Sequence, residues 1–353
     1  MSLETYFEIL NGDLKPRFRI ASRIPSGMNR DGASLLGLDE LLARHRELVR
    51  PFHDSPNPAP PQYFPRGEAN LLELKSLIAR RMLDRCTICE NRCRVNRSAG
   101  QRGKCRVGER SFYASEFLHL GEESELVPSH TVFFTGCTFA CLYCQNWDIA
   151  HGVSASEDLG YPADESLVER IMVRSKFARN LNLVGGNPDQ HLAVILELLI
   201  GLARMGYPRP IVWNSNIYMT PEALELLTGV ADVHLADFKY GPGECAKELS
   251  GIDNYRDIIT RNLKAVEPVS EILIRHLVLP GHVECCTGKI VKWVAGNLPD
   301  ARFNLMFQYH PDYRAEEHPV LRRYLTDGER ERARELASNA GVLQGTGESQ
   351  GET

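Results

Sequence analysis

The chain has 353 residues, 43% hydrophobic and 25% charged, which is ordinary globular composition and a length for one large α/β domain with an extension, or for two domains. A formal net charge of −5 gives no basic footprint for nucleic acid, and no apolar run approaches the roughly 20 residues of a membrane helix. The opening MSLETYFEIL has neither the basic flank nor the apolar core of a signal peptide, so a cytoplasmic location is expected, with no membrane and no nucleic-acid partner.

In chain order, residues 1–50 read as mostly helical, with LLGLDELLARHRELVR the clearest amphipathic stretch. A link follows in which Pro56, Pro58, Pro60 and Pro61 forbid regular structure. With the amphipathic LLELKSLIARRMLDR it completes a helical extension over 1–85, and a four-cysteine segment occupies 86–125. From 126 to 325 short apolar runs alternate with helical ones. The strand candidates are TVFFTG, NLVGG, PIVWNSN, VHLADF, EILIRHLVLP and NLMFQY. Between most of them lie ESLVERIMVRSKFAR, LAVILELLIGLAR, PEALELLTGV and KIVKWVAGN. Thr220 before Pro221 is a cap and first-turn pair, and Thr326 with Glu329 a capping box opening a last helix. A polar, glycine-rich tail expected to be disordered ends the unit 326–353.

Strands alternating with helices imply parallel strands and right-handed crossovers. With no dinucleotide glycine fingerprint after the first strand, the fold class is α/β, a partial (β/α)6 TIM-like barrel with an N-terminal helical, cysteine-bearing extension. In such barrels the active site gathers at the C-terminal ends of the strands. There the runs carry three cysteines, GGNP, NSN, DFKY, LPGH and QYHP.

Ten cysteines in a reducing compartment are not a disulfide framework. Cys137, Cys141 and Cys144 are three and then two residues apart. Thiolates hold iron–sulfur clusters, and three of them on a four-iron cube leave one iron open. The alternative is a tetrahedral zinc completed by a remote His or Cys, but zinc knuckles use paired two-residue spacings that this loop lacks.

The loop CTFACLYCQNWDIAHG resembles the Cys-x3-Cys-x2-Cys signature of radical S-adenosylmethionine (SAM) enzymes. Together with WNSNIYMTPEALELL, DVHLADFKYG and MFQYHP it resembles the subfamily related to pyruvate formate-lyase activating enzyme. The likeness spans about two thirds of the chain. It implies a [4Fe-4S] cluster, SAM chelated to the open iron, reductive cleavage to a 5′-deoxyadenosyl radical, and hydrogen abstraction by an oxidoreductase fed by a flavodoxin- or ferredoxin-type donor. Carried over by position, it places Tyr143, Gly185, Gly186, Asn214, Ser215, Asn216, Asp237, Lys239 and His310 beside SAM. Asn187 stands where the commoner Gly-Gly-Glu-Pro form has Glu, which questions its side-chain contact. Taken singly, the glycine turn is a strand-ending loop and Asp237 with Lys239 a surface ion pair; their common position at strand ends favours the functional reading.

Cys86, Cys89, Cys93 and Cys105 can close a zinc site or hold a second iron–sulfur cluster, with six nearby arginines and lysines favouring thiolates. Cys245, Cys285 and Cys286 fall in loops on the same expected face. They are either small apolar fillers or catalytic candidates, with at least one in the barrel mouth to return a hydrogen atom or ligate an added cluster. Three functions stay open: activation of a glycyl-radical partner enzyme, radical modification of a peptide or small molecule, and a non-catalytic metal-binding scaffold.

Overall fold

All six expected strands form in the computed structural model, which describes residues 3–152 and 160–342. The tail expected to be disordered, GTGESQGET, lies outside the described residues. The strands in chain order are β1 (Pro25–Asn29), β2 (Glu68–Asn70), β3 (Phe112–His119), β4 (Ser129–Phe134), β5 (Tyr161–Pro162), β6 (Asn180–Gly185), β7 (Ile211–Ser215), β8 (Val233–Asp237), β9 (Glu271–Leu277) and β10 (Arg302–Met306). The main sheet runs β10-β9-β8-β7-β6-β4-β3-β5. From β4 to β10 its neighbours are parallel, and each is the next parallel strand along the chain. That unbroken order is the order of a barrel wall, whereas a doubly wound sheet reverses part-way. β4, β6, β7 and β8 are buried along almost their whole length, as strands covered on both faces must be.

Some elements carried weaker sequence signals. β3 pairs antiparallel with β4 and with β5, so part of the segment 86–125 extends the barrel sheet. Its outer face is half polar (FYASEFLH), which suits a strand near an edge rather than a buried run. The crossover from β8 to β9 contains two helices, Cys245–Ser250 and Tyr255–Val266. Thr220 and Thr326 cap their helices as expected, the latter in a reciprocal capping box with Glu329. No helix among the described residues is long and apolar enough to cross a membrane.

The first helix, Glu4–Asn11, is a floor rather than an appendage. Leu3 and Tyr6 pack with Leu126, Val212, Val233, Leu235 and Leu273 inside the N-terminal end of the barrel. The amides of Thr5 and Tyr6 donate to the Glu271 carboxylate at 2.8 and 2.9 Å, and Asn180 Nδ2 donates to Tyr6 Oη at 2.9 Å. With that end filled, the loops after the strands form the accessible end of the fold.

Candidate active site at the C-terminal ends of the strands

The three-cysteine loop leaves β4 through a sterically forced passage. Gly136 has φ 76°, and a Cβ there would lie 2.5 Å from the Cys105 carbonyl oxygen. A Cβ on Gly186 would lie 2.1 Å from the Gly136 oxygen, and one on Gly185, at φ 119°, 2.1 Å from the Phe134 oxygen. Glycine is therefore required at 185 and 186 by backbone crossing backbone. The same turn carries Asn187, whose amide is engaged inside the protein: Nδ2 donates to Gln190 at 3.1 Å and Oδ1 accepts from the Asn216 amide at 3.1 Å. In place of the family's glutamate, this chain has a brace between two strand-end loops.

Cys137, Cys141 and Cys144 lie close enough to act on one another electrostatically. Burial pushes all three thiols up, Cys144 to about 12, and the neighbouring thiols push Cys137 and Cys144 further in that direction; Lys239 opposes the shift in each. Ser250 Oγ donates to Cys141 Sγ at 2.8 Å, and the Phe139 amide to Cys137 Sγ at 3.4 Å. Asn216 Nδ2 donates to Thr138 Oγ1 at 2.8 Å, fixing the β7 loop to the cysteine loop. Tyr143 is buried, its hydroxyl 2.6 Å from Tyr240 Oη, which lies 2.5 Å from Ser250 Oγ. A chain of hydroxyls thus runs from Tyr143 to the Cys141 sulfur.

Beneath this loop a polar band crosses the sheet. Lys239 Nζ donates to Asp237 Oδ2 at 2.8 Å, and Arg275 Nε donates to Asp237 Oδ1 at 3.2 Å. Arg275 also reaches Asn214 Oδ1 at 2.6 Å and Glu122 at 3.1 Å, and Asn182 donates to Glu122 at 2.9 Å. Burial alone would raise the Asp237 carboxyl, but Lys239 and Arg275 hold it below its ordinary value. Ser215 Oγ accepts from the Ile217 amide at 3.0 Å. His310 is exposed beyond β10, so the structure does not bring it into this band. Arg275, Glu122 and Asn182 escaped the sequence reading. The available signal was a charged residue inside the apolar run EILIRHLVLP, which a core strand does not carry without partners.

The first cysteine group is part of the same face. A β-bridge joins Cys89 to Met219, the Glu90 amide donates to Tyr218 O at 3.1 Å, and Asn91 Nδ2 donates to Thr138 O at 2.8 Å. Arg97, 1% exposed, donates to Gly108 O and Gln190 O at 2.7 and 2.9 Å, with Cys86 Sγ at 3.9 Å. The interaction of the Cys86 and Cys93 thiols pushes Cys93 down and, with burial, Cys86 up. Gly103 leaves room for two sulfurs: a Cβ there would lie 2.9 Å from Cys93 Sγ and 3.7 Å from Cys105 Sγ. The three remaining cysteines converge on one another and on His282.

Residues 131–294, from within β4 to the helix before β10, match the sequence pattern of the Radical SAM superfamily. The chain belongs to that superfamily. An uncharacterised protein of Methanocaldococcus jannaschii is 47% identical over 272 residues, 76% of this chain and 78% of that protein. Among solved structures, Streptococcus suis SuiB bound to the precursor peptide SuiA aligns with a TM-score of 0.43 and 15% identity over 59% of this radical SAM chain. The chain spans 45% of SuiB. TYW1 with a lysine–pyruvate adduct bound aligns with a TM-score of 0.40 and 14% identity, covering 59% of this chain and 73% of that one.

The residues present fit the cofactors of that superfamily. Three thiols on one loop, Cys141 buried and Cys137 and Cys144 half-buried, suit a cluster with an open iron. Buried Asn214 Nδ2 and Asn182 Oδ1 have no partner within the protein, leaving a donor and an acceptor in the band where a polar ligand would lie.

Proposed function

We propose that this radical SAM chain holds a [4Fe-4S] cluster on Cys137, Cys141 and Cys144, and cleaves SAM reductively to abstract hydrogen from a substrate. The observation that carries the reading is the placement of three thiols, Cys141 buried and Cys137 and Cys144 half-buried, above the Lys239–Asp237–Arg275 band, with unsatisfied amide atoms beside it. When bound, the cluster supplies one electron to SAM. The protein's own residues do the rest. Lys239 offers a cation to the thiolates and to a carboxylate, and Asp237 keeps it charged and oriented. Asn214, Ser215 and Asn216 present polar groups from the end of β7. The Gly185–Gly186 turn lets the backbone approach the SAM amino group closely, with the Gly186 amide held by Phe134 O at 2.8 Å. The hydroxyl chain from Tyr143 through Ser250 holds the Cys141 sulfur in place.

The finer role proposed is activation of a partner enzyme by hydrogen abstraction from a backbone glycine, supported by the likeness of DFKY and QYHP to the activating enzymes. Its electron donor would be flavodoxin- or ferredoxin-like. The test is anaerobic reconstitution with iron and sulfide, reduction with dithionite, and quantification of 5′-deoxyadenosine. Its formation, with deuterium transfer from a glycine-labelled partner, supports both levels of the reading. A cluster-loaded protein that gives no 5′-deoxyadenosine overturns the enzyme and leaves the metal scaffold.

A further inference from the structure

We propose that Cys245, His282, Cys285 and Cys286 form a separate structural site for one tetrahedral zinc ion. Their four ligand atoms all lie within 4.8 Å of one another. Zn–S bonds of about 2.3 Å and Zn–N bonds of about 2.05 Å at tetrahedral angles require S–S edges of about 3.8 Å and S–N edges of about 3.6 Å. The protein has Cys245 Sγ–Cys285 Sγ at 3.8 Å and Cys285 Sγ–Cys286 Sγ at 3.9 Å. His282 Nδ1 lies 3.5 Å from both Cys245 Sγ and Cys285 Sγ. These are four of the six edges of a tetrahedron with one ion at its centre, and the other two are within 4.8 Å. The thiolates of a four-iron cube bind separate irons and stand further apart, so an added cluster does not fit here.

The backbone is shaped for this convergence. Val283–Thr287 forms a π-turn, a rare local geometry that places consecutive Cys285 and Cys286 toward the same partners. Gly241 makes room for it, since a Cβ there would lie 2.1 Å from the Cys285 carbonyl oxygen. Cys245 comes from the other side, at the first turn of the helix Cys245–Ser250. The far end of that helix is bonded to the three-cysteine loop: Ala140 and Leu142 amides donate to Ser250 O and Leu249 O at 3.1 and 2.9 Å, and Ser250 Oγ reaches Cys141 Sγ. One ion would therefore fasten the β9 turn to the helix that steadies the catalytic loop. The four ligands fill a tetrahedron and leave no open position, so the role is structural.

The test uses the full chain grown with zinc and purified without chelator. Zinc and iron are counted per chain, and thiol alkylation is mapped by mass spectrometry before and after chelation. The half-exposed Cys245 and Cys285 should resist alkylation until the chelator is added. Cys245→Ser/Cys285→Ser and His282→Ala should each lose one zinc per chain at unchanged iron, and His282→Cys should keep it. A folded double variant with the wild-type zinc count overturns the site. So does immediate alkylation of Cys245 and Cys285 in the native protein, loss of iron instead of zinc, or a metal-free wild type with a Cys245–Cys285 disulfide. The alkylation arm needs no variant and decides the question if the substituted chains do not fold. Failure here leaves the reading of Cys137, Cys141 and Cys144 intact, because those thiols are scored by iron and 5′-deoxyadenosine.

Discussion

Two places on the same face of this radical SAM chain gather three thiols each, and they do so in opposite ways. Cys137, Cys141 and Cys144 sit on one eight-residue loop, beside Lys239 and above unsatisfied amide atoms. Cys245, Cys285 and Cys286 come from two loops 40 residues apart and close on His282 at tetrahedral distances. The difference is one of coordination completeness. In the two proposals the early loop takes a group from outside the protein to finish its site, while the late one supplies every donor itself, so chemistry is assigned to the unfinished site and stiffness to the finished one.

The sharpest way to break that contrast is to remove thiols from each. Cys137→Ala, Cys141→Ala or Cys144→Ala should reduce 5′-deoxyadenosine formation to background with the fold retained by circular dichroism. Cys245→Ser/Cys285→Ser should lower it only by about tenfold, as loss of an outer support does. Equal loss in both would erase the distinction. Gly186→Ala addresses the passage beneath the early loop: a methyl 2.1 Å from the Gly136 oxygen should destabilise the chain by about 4 kcal/mol in denaturant unfolding. Arg275→Ala should cost about 3 kcal/mol, since buried Glu122 would lose its guanidinium partner and Asp237 would keep only Lys239. Lys239→Ala is the mildest. It should weaken SAM binding by about tenfold in equilibrium dialysis of the reconstituted protein, the effect of one charge-assisted hydrogen bond. The late-site variants should leave that binding near wild type.

Legibility followed the same division. The three-cysteine loop, the strand-end motifs and the parallel barrel order were readable because each is a local pattern: a spacing, a turn, a run of apolar residues. The helix Tyr255–Val266 was passed over although Tyr255, Ile259, Leu263 and Val266 recur at helical spacing and form its buried face, with Arg256, Asp257, Arg261 and Lys264 off it. Asn187 could be flagged as a departure, but its two-sided bond to Gln190 and Asn216 depends on loops from different strands. His282 carried no signal either. Only the π-turn and the missing Cβ of Gly241 bring it to thiols on both sides of it in sequence. His310 shows the converse, a motif match that folding leaves exposed.

The floor laid by the first helix has a consequence for how the chain is made. Thr5 and Tyr6 bond to Glu271, so their amides meet that carboxylate only after 266 and 265 further positions have been made. At translation rates of roughly 5–20 residues per second, Glu271 follows Thr5 and Tyr6 by on the order of 15–50 seconds, and until Leu273 arrives the cluster around Leu3 and Tyr6 is incomplete. The barrel can zip from β4 onward during synthesis, strand beside preceding strand, but its base is closed last, when Glu271 and Leu273 meet the helix Glu4–Asn11. A nascent chain stalled before residue 271 should therefore be held by chaperones at its amino-terminal end, and released when β9 emerges.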